Sequence, residues 1–393
     1  MIFTFSLLPC NKALKYVYGL FPVGSLTLNF SNGTLIVEGP ATVTVVDGQC
    51  EVLGCPVRDS LNVERFRALP IFAGGSCTLS VSGGSVRYVD GTTIPSDWEG
   101  LNLEGIALVV GDVDSGKTTL TTYLLNRHVA RGLSTCVVDA DVGQSSIGPP
   151  GVVGLSCVGL PTPTLEGLHM IGGFFVGCNS PSQCVGRFIS GVSAMVREAF
   201  SRTPGLVLID MPGWVVDGGI ELIRNVVDAV GADYVVSIGI NLRLRSSVKV
   251  INVSRPKYVR PRNPDERGFL RNQALRRYLS GELVNVSIEL NRIIGNSVIE
   301  CIVNNCGHYV IDNVAEVTRH GGVVKVPSRL FSNVFIGLVR RGFLAGFGVI
   351  REFNLREGVV SAIATTDYFD EAVMGRLRVD PEKLEEAEPF PLL

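Results

Sequence analysis

The chain has 393 residues, 46% of them hydrophobic, and a formal net charge of −2. That length holds two or three domains with a sizeable core, and that charge excludes a global basic field that would draw the protein to nucleic acid. No uninterrupted apolar run reaches the roughly 18 residues of a membrane span, and the opening Met1-Ile2-Phe3-Thr4-Phe5 has no basic n-region, so neither membrane insertion nor a secretory leader is expected and the cytoplasm is the expected compartment. Arginine outnumbers lysine by 28 to 7, which favours planar, two-pronged contacts to phosphate. The ten cysteines contain no C-x-x-C, Cys50/Cys55 and Cys301/Cys306 lack ligands at zinc spacing, and the four histidines do not cluster. No structural metal is expected, most cysteines read as small core residues, and a disulfide would be a surprise outside a hyperthermophile.

Residues 1–98 read as an N-terminal β domain, a small antiparallel sandwich or barrel. Leu26, Leu28 and Phe30 alternate with polar residues, and Asn32-Gly33, Asp47-Gly48 and Asp90-Gly91 are hairpin signals. From 99 to 283 strands alternate with helices. The short β-rich runs 136–138, 206–209 and 234–238 lie between helical stretches such as 191–200 and 220–230, which predicts a parallel sheet covered on both faces. Residues 241–280 carry an excess of nine positive charges, with a lid at about 260–280. A charge run is most often a solvated face, but this one sits in the phosphate-handling part of a slightly acidic chain, so contact with phosphates is expected. Residues 284–393 return to β-like runs and read as a small C-terminal domain ending in an acidic, frayed tail at 382–388.

Gly111-Asp112-Val113-Asp114-Ser115-Gly116-Lys117-Thr118 fits G-x-x-x-x-G-K-[ST], and it lies between a β-rich run and a helical segment. Backbone N–H groups of such a loop wrap phosphate oxygens at a helix N-terminus. Lys117 reaches the β- and γ-phosphates, the Thr118 hydroxyl binds Mg²⁺, and Thr119 follows in the same turn. Asp139 and Asp141 lie at i and i+2 on the next strand, so both carboxylates point one way. One suits a magnesium shell and the other suits accepting a proton from an attacking hydroxyl; spacing does not say which, and a turn-capping role is the plainer alternative. The run 206–210 ends in Asp210, a second candidate for the metal shell. Trp214, after Gly213, is placed either to stack on a base or to anchor a loop. Arg271 and Arg276, on a helical stretch from about 269, are five residues apart and share no strict face, yet can converge on one phosphate group.

Taken together the motifs resemble the polynucleotide 5′-hydroxyl kinase family, which includes kinases of the eukaryotic pre-mRNA cleavage and tRNA-splicing complexes, ribosomal-RNA-processing kinases and archaeal homologues. The residues that carry the resemblance are 111–118, Asp139-x-Asp141-Val142-Gly143-Gln144, Pro149-Pro150-Gly151, Gly213-Trp214, Arg271 and Arg276. The resemblance implies a P-loop kinase domain between two β-rich domains, ATP and Mg²⁺ as cofactors, and RNA, or DNA, with a free 5′-hydroxyl as acceptor. It implies Asp141 as the base or aligner for that hydroxyl, with Asp139 left for the metal. Gln144 and Trp214 would meet the strand end, and Arg271 and Arg276 would clamp phosphates. The family's clasp segment usually has Thr before Ser-Pro; here Asn179 precedes Ser180-Pro181, and both Asn179 and Ser180 are candidates for nucleic-acid contact. Two other readings remain: an ATP-holding scaffold of an RNA-processing complex, and a GTPase. Asp210-Met211-Pro212-Gly213 fits D-x-x-G, but no suitably placed N-K-x-D for guanine is present.

Overall fold

Leu26, Leu28 and Phe30 are all buried along the strand Ser25–Phe30, as their alternation requires. The computed structural model describes residues 3–6, 25–304, 307–310, 314–319 and 322–388. It divides into two compact units: Met1–Val137, Cys157–His169 and Arg202–Glu266 form the first, and Val138–Ser156, Met170–Ser201 and Arg267–Leu393 the second. Among the described residues no helix is long and apolar enough to cross a membrane.

The first unit begins with an eight-stranded sheet in the order Phe3–Ser6, Ser25–Phe30, Cys77–Asp90, Gly33–Gly48, Ala68–Ala73, Cys50–Val52, Cys55–Val57, with Ser60–Val63 paired to Gly33–Gly48. None of the three Asn/Asp-Gly signals closes a hairpin between neighbours. Asn32 and Gly48 do take positive φ, so the turn chemistry is right locally. Pairing is decided instead by the long strands Gly33–Gly48 and Cys77–Asp90, which run antiparallel over nearly their whole length. The same unit holds Thr135–Val137, the first part of the strand Thr135–Asp139, and a sheet that continues from it in the order Leu206–Asp210, Gly105–Gly111, Tyr234–Ile238, Lys249–Val253. The last four are mutually parallel, with Asp210 opposite Val109 and Ile238 opposite Gly111. The helix Lys117–Ala130 packs on Gly105–Gly111 and Leu206–Asp210, burying Leu120, Leu124 and Leu125. This is the α/β P-loop arrangement that the strand–helix alternation predicts.

A disulfide joins Cys136 to Cys157, and Cys301 is also disulfide-bonded, the bond that the sequence makes surprising outside a hyperthermophile. The bond links positions 21 residues apart, a spacing no sequence motif marks.

The second unit contains an antiparallel pair, Val152 opposite Phe175. It also contains an antiparallel-rich sheet ordered Val284–Glu289, Val359–Ala364, Phe343–Asn354, Val334–Arg340, Glu371–Asp380, Ile293–Ile294, and a three-stranded sheet. The acidic end is not frayed: Glu385–Glu386 pairs antiparallel with Val379 and Asp380. One core holds Phe175, Leu275 and Leu279 together with Phe335, Phe347, Val349, Val373 and Leu377. The helix Pro264–Leu279 therefore rests on the C-terminal sheet through its last two turns.

Candidate functional site

In the first unit the strand Gly105–Gly111 runs directly into the phosphate-loop motif. Asp112 shapes the loop: its carbonyl accepts from Ser115 N at 3.2 Å and from Lys117 Nζ at 2.8 Å, and its carboxylate from Val113 N at 2.6 Å. Asp114 sits at φ 52° and Gly116 at φ 97°. Gly116 is the N-cap of the helix Lys117–Ala130, and no side chain caps it. The first helical N–H groups thus have no intrahelical partner and no side-chain acceptor, the condition for binding an anion. A Cβ on Gly116 would come within 2.8 Å of Pro256 Cδ, so this position needs glycine for space as well as for φ.

Thr118 Oγ1 donates to Asp210 Oδ2 at 2.8 Å, and Asp210 is buried. A hydroxyl and a buried carboxylate are hard oxygen donors, beside a loop made for phosphate. The pair fits a magnesium ion better than any softer metal. Gly213 lies against the loop: a Cβ there would meet Val113 Cα and N at 2.9 Å. Trp214 is half-buried, its ring over Gly218 at the start of the helix Gly219–Val230, so it is not a core residue. Replacing it by alanine should raise the KM for an oligonucleotide by roughly 5- to 150-fold, the equivalent of one stacked base. An unchanged KM in a steady-state titration would return Trp214 to a packing role.

Sequence reasoning missed the strap over this loop. Residues 254–262 are tied to the β domain by Trp98 Nε1 to Ser254 O at 3.0 Å, Ser254 N to Asp97 at 2.7 Å and Lys257 N to Thr93 O at 3.0 Å. Arg260 pairs with Glu38 and Glu266. Arg262 N reaches Asp114 at 3.3 Å, and burial, with Arg67 adding repulsion, pulls its guanidinium down to about 10. Arg245 pairs with Asp228 as well. Several of the positive charges counted between 241 and 280 are therefore spent on internal ion pairs. Pro256 and Pro261, flanking a basic run, were the visible sign of a fixed strap.

In the second unit the two adjacent aspartates divide their work. Asp139 Oδ2 accepts from Ser146 N at 2.6 Å, Ile147 N at 2.8 Å and Ser145 Oγ at 3.1 Å, and Oδ1 from Asp141 N at 3.1 Å. It is the buried anchor of the following loop. Asp139→Ala should lower stability by about 3 kcal/mol by leaving several buried donors without an acceptor, read as a drop in urea midpoint. Asp141 is half-exposed. Its Oδ1 accepts from Gly143 N at 3.1 Å and Gln144 N at 3.0 Å, and Oδ2 takes none of the described hydrogen bonds.

Gln144 Nε2 donates to Gly143 O at 2.8 Å and Arg267 O at 3.3 Å, joining this loop to the lid helix. A Cβ on Gly143 would lie 2.7 Å from Asn179 O, so the clasp backbone touches the loop. Gly151, ending the Pro-Pro-Gly run, accepts from Val176 N and Gly177 N at 2.9 Å. Ser180 Oγ shares a hydrogen bond with Ser182. Cys178 and Cys184 bracket the clasp. A hydrogen bond from Cys178, with Arg376 and Arg187 nearby, brings the Cys184 thiol down to about 7. Arg271 and Arg276, despite their spacing, meet adjacent residues of one strand, Glu386 and Glu385.

The residues predicted from the sequence thus assemble into two groups. One holds 111–118, Asp210, Gly213 and Trp214; the other holds Asp139, Asp141, Gln144, Asn179, Arg271 and Arg276. Residues 111–281 match the family model of the P-loop of the mRNA cleavage and polyadenylation factor CLP1. The polyribonucleotide 5′-hydroxyl-kinase of Pyrococcus horikoshii is 30% identical over 346 residues, covering 76% of this chain and 92% of that protein. The corresponding kinase of Thermococcus kodakarensis is 30% identical over 310 residues, with 70% and 88% covered. In fold, the chain is similar to Clp1p as solved in complex with Pcf11p, with a TM-score of 0.65 at 12% identity over 90% of this chain and 98% of that one. Motifs, fold and similarity over about three quarters of the chain agree: the chain belongs to the polyribonucleotide 5′-hydroxyl-kinase family.

Proposed function

We propose that this protein transfers the γ-phosphate of ATP to the 5′-hydroxyl of an RNA strand in RNA processing, with DNA as a second acceptor. The observation that supports this most is the Thr118–Asp210 hydrogen bond at 2.8 Å beside an uncapped helix N-terminus, the arrangement a magnesium-bound triphosphate requires. Residues 111–119 cradle the phosphates, with Lys117 on the outer two. Thr118 and Asp210 would hold Mg²⁺. Asp139, whose oxygens already accept from Asp141 N, Ser145 Oγ, Ser146 N and Ile147 N, would act on the metal through its charge. When bound, the ion supplies neutralisation of charge on the phosphate oxygens.

Asp141 takes the proton of the 5′-hydroxyl as its oxygen bonds to the γ-phosphorus and the bond to ADP breaks. Arg271 and Arg276 balance the negative charge of the group in transit. Trp214, Gln144, Asn179 and Ser180 position the strand end. The reading also keeps three functional segments, 1–98, 99–283 and 284–393, which limited proteolysis would map, and a cytoplasmic site of action, which cell fractionation would check. An intracellular disulfide is a known feature of hyperthermophile proteins.

The test is incubation with γ-labelled ATP and matched RNA and DNA oligonucleotides bearing 5′-hydroxyls. Labelled strand ends support the proposal. Labelled phosphate released to water without any labelled strand overturns it, and nucleotide binding without turnover favours the scaffold reading. Preference for GTP as donor would favour a GTPase.

A further inference from the structure

The basic residues assigned to the phosphate clamp are already occupied by carboxylates. Arg271 Nε donates to both oxygens of Glu386 at 2.8 Å. Asn179 Nδ2 lies 3.5 Å from Glu386 Oε1, and Asn272 Oδ1 accepts from Glu386 N at 2.9 Å. Arg276 pairs with the neighbouring Glu385 and reaches Lys383 O at 3.3 Å. Arg271 and Glu386 are 22% and 16% exposed, against 46% and 39% for Arg276 and Glu385. The inner pair is therefore the one that matters, because exposed pairs contribute little.

The strand that delivers these carboxylates is held lightly. It is two residues long and, among the described residues, its ladder partners are Val379 and Asp380, with Leu384 N donating to Asp380 O and Ala387 N to Arg378 O, both at 2.8 Å. Its turn is fixed by Asp380 Oδ1, which accepts from Glu382 N at 2.9 Å and Lys383 N at 3.1 Å. A two-residue edge strand at the end of the described chain, half-exposed at Glu385 and Glu386, opens at lower cost than the buried core.

We infer that this C-terminal strand is a built-in competitor for the lid arginines: Glu386, with Glu385 beside it, holds the place on Arg271 and Arg276 that phosphate oxygens must take, and phosphate-bearing substrate displaces it. The inference rests on the reading of these arginines as phosphate ligands. A carboxylate and a phosphate present the same kind of acceptor to a guanidinium, and Glu386 holds the Arg271 Nε–H, so a phosphate that takes this donor must displace it. The strand then lowers apparent affinity in proportion to the time it is docked. The phosphate has two sources, the triphosphate and the strand backbone, and the experiment separates them.

Binding of a labelled non-hydrolysable ATP analogue and, separately, of a labelled 5′-hydroxyl RNA oligonucleotide should be measured by anisotropy for wild type, Glu385→Gln, Glu386→Gln and the double variant. Glu386→Gln should tighten one of the two ligands by about 3- to 10-fold, and Glu385→Gln by less. The arm that tightens identifies the source of the phosphate. Equal or weaker binding in both arms overturns the inference and makes Glu386 a support for Arg271. Should Glu386→Gln fail to fold, Glu386→Asp, whose shorter carboxylate withdraws from Arg271, carries the same expectation with a smaller effect. The readout needs no turnover. Absence of phosphoryl transfer by the wild type would therefore defeat the kinase proposal and leave this test standing; transfer without tightening would defeat this inference alone.

Discussion

Lys117→Ala should lower kcat/KM for phosphoryl transfer by on the order of 10³-fold or more while leaving the fold intact. The Lys117 ammonium is buried, and its described partner is a neutral carbonyl, Asp112 O at 2.8 Å. Among the described residues no carboxylate pairs with it. A buried cation held this way is costly to the free protein and becomes favourable only when an anion arrives. Removing it should therefore cost no stability and can raise the melting temperature. Activity near the wild-type level would show that the ammonium does not meet the phosphate. Loss of activity together with a lower melting temperature would show instead that Lys117 supports the loop.

Asp141→Asn should reduce kcat by about 10²- to 10⁴-fold, the usual contribution of a positioned general base. The substitution is chosen because asparagine keeps the Oδ1 acceptor that Gly143 N and Gln144 N use. The turn should survive and only basicity is lost. The comparison with Asp139 is the critical one. Asp139 is engaged by donors from the loop that follows it, so its loss should appear first in stability. Two carboxylates at i and i+2 thus have separable signatures, one in turnover and one in the unfolding midpoint. Single-turnover measurements with excess enzyme would isolate the chemical step; a full rate in Asp141→Asn would remove it from the role of base.

The parts of the site that the sequence revealed are those built from consecutive residues. The phosphate loop, the carboxylates after two apolar runs and the Trp after Gly213 are local patterns whose geometry follows from strand, turn and helix rules. What stayed hidden depends on partners far along the chain. Asp139 looks like any strand-end acid until residues 145–147 fold back onto it. The arginines of the lid look free until Glu385 and Glu386, more than a hundred residues later, return to meet them. The Asn/Asp-Gly turns of the first domain gave the right backbone conformation and the wrong partners, because long-range strand pairing outweighs turn preference. The bond between Cys136 and Cys157 joins residues that no spacing rule connects.

The shared packing of Leu275 and Leu279 with Phe335, Phe347 and Leu377 has a practical corollary for anyone trimming the gene. A shortened version ending soon after residue 279 would retain every amino acid assigned to chemistry, yet would leave a greasy flank of the arginine-bearing helix open to water. Such a fragment should clump rather than work. A null result from it would speak to solubility and carry no information about catalysis.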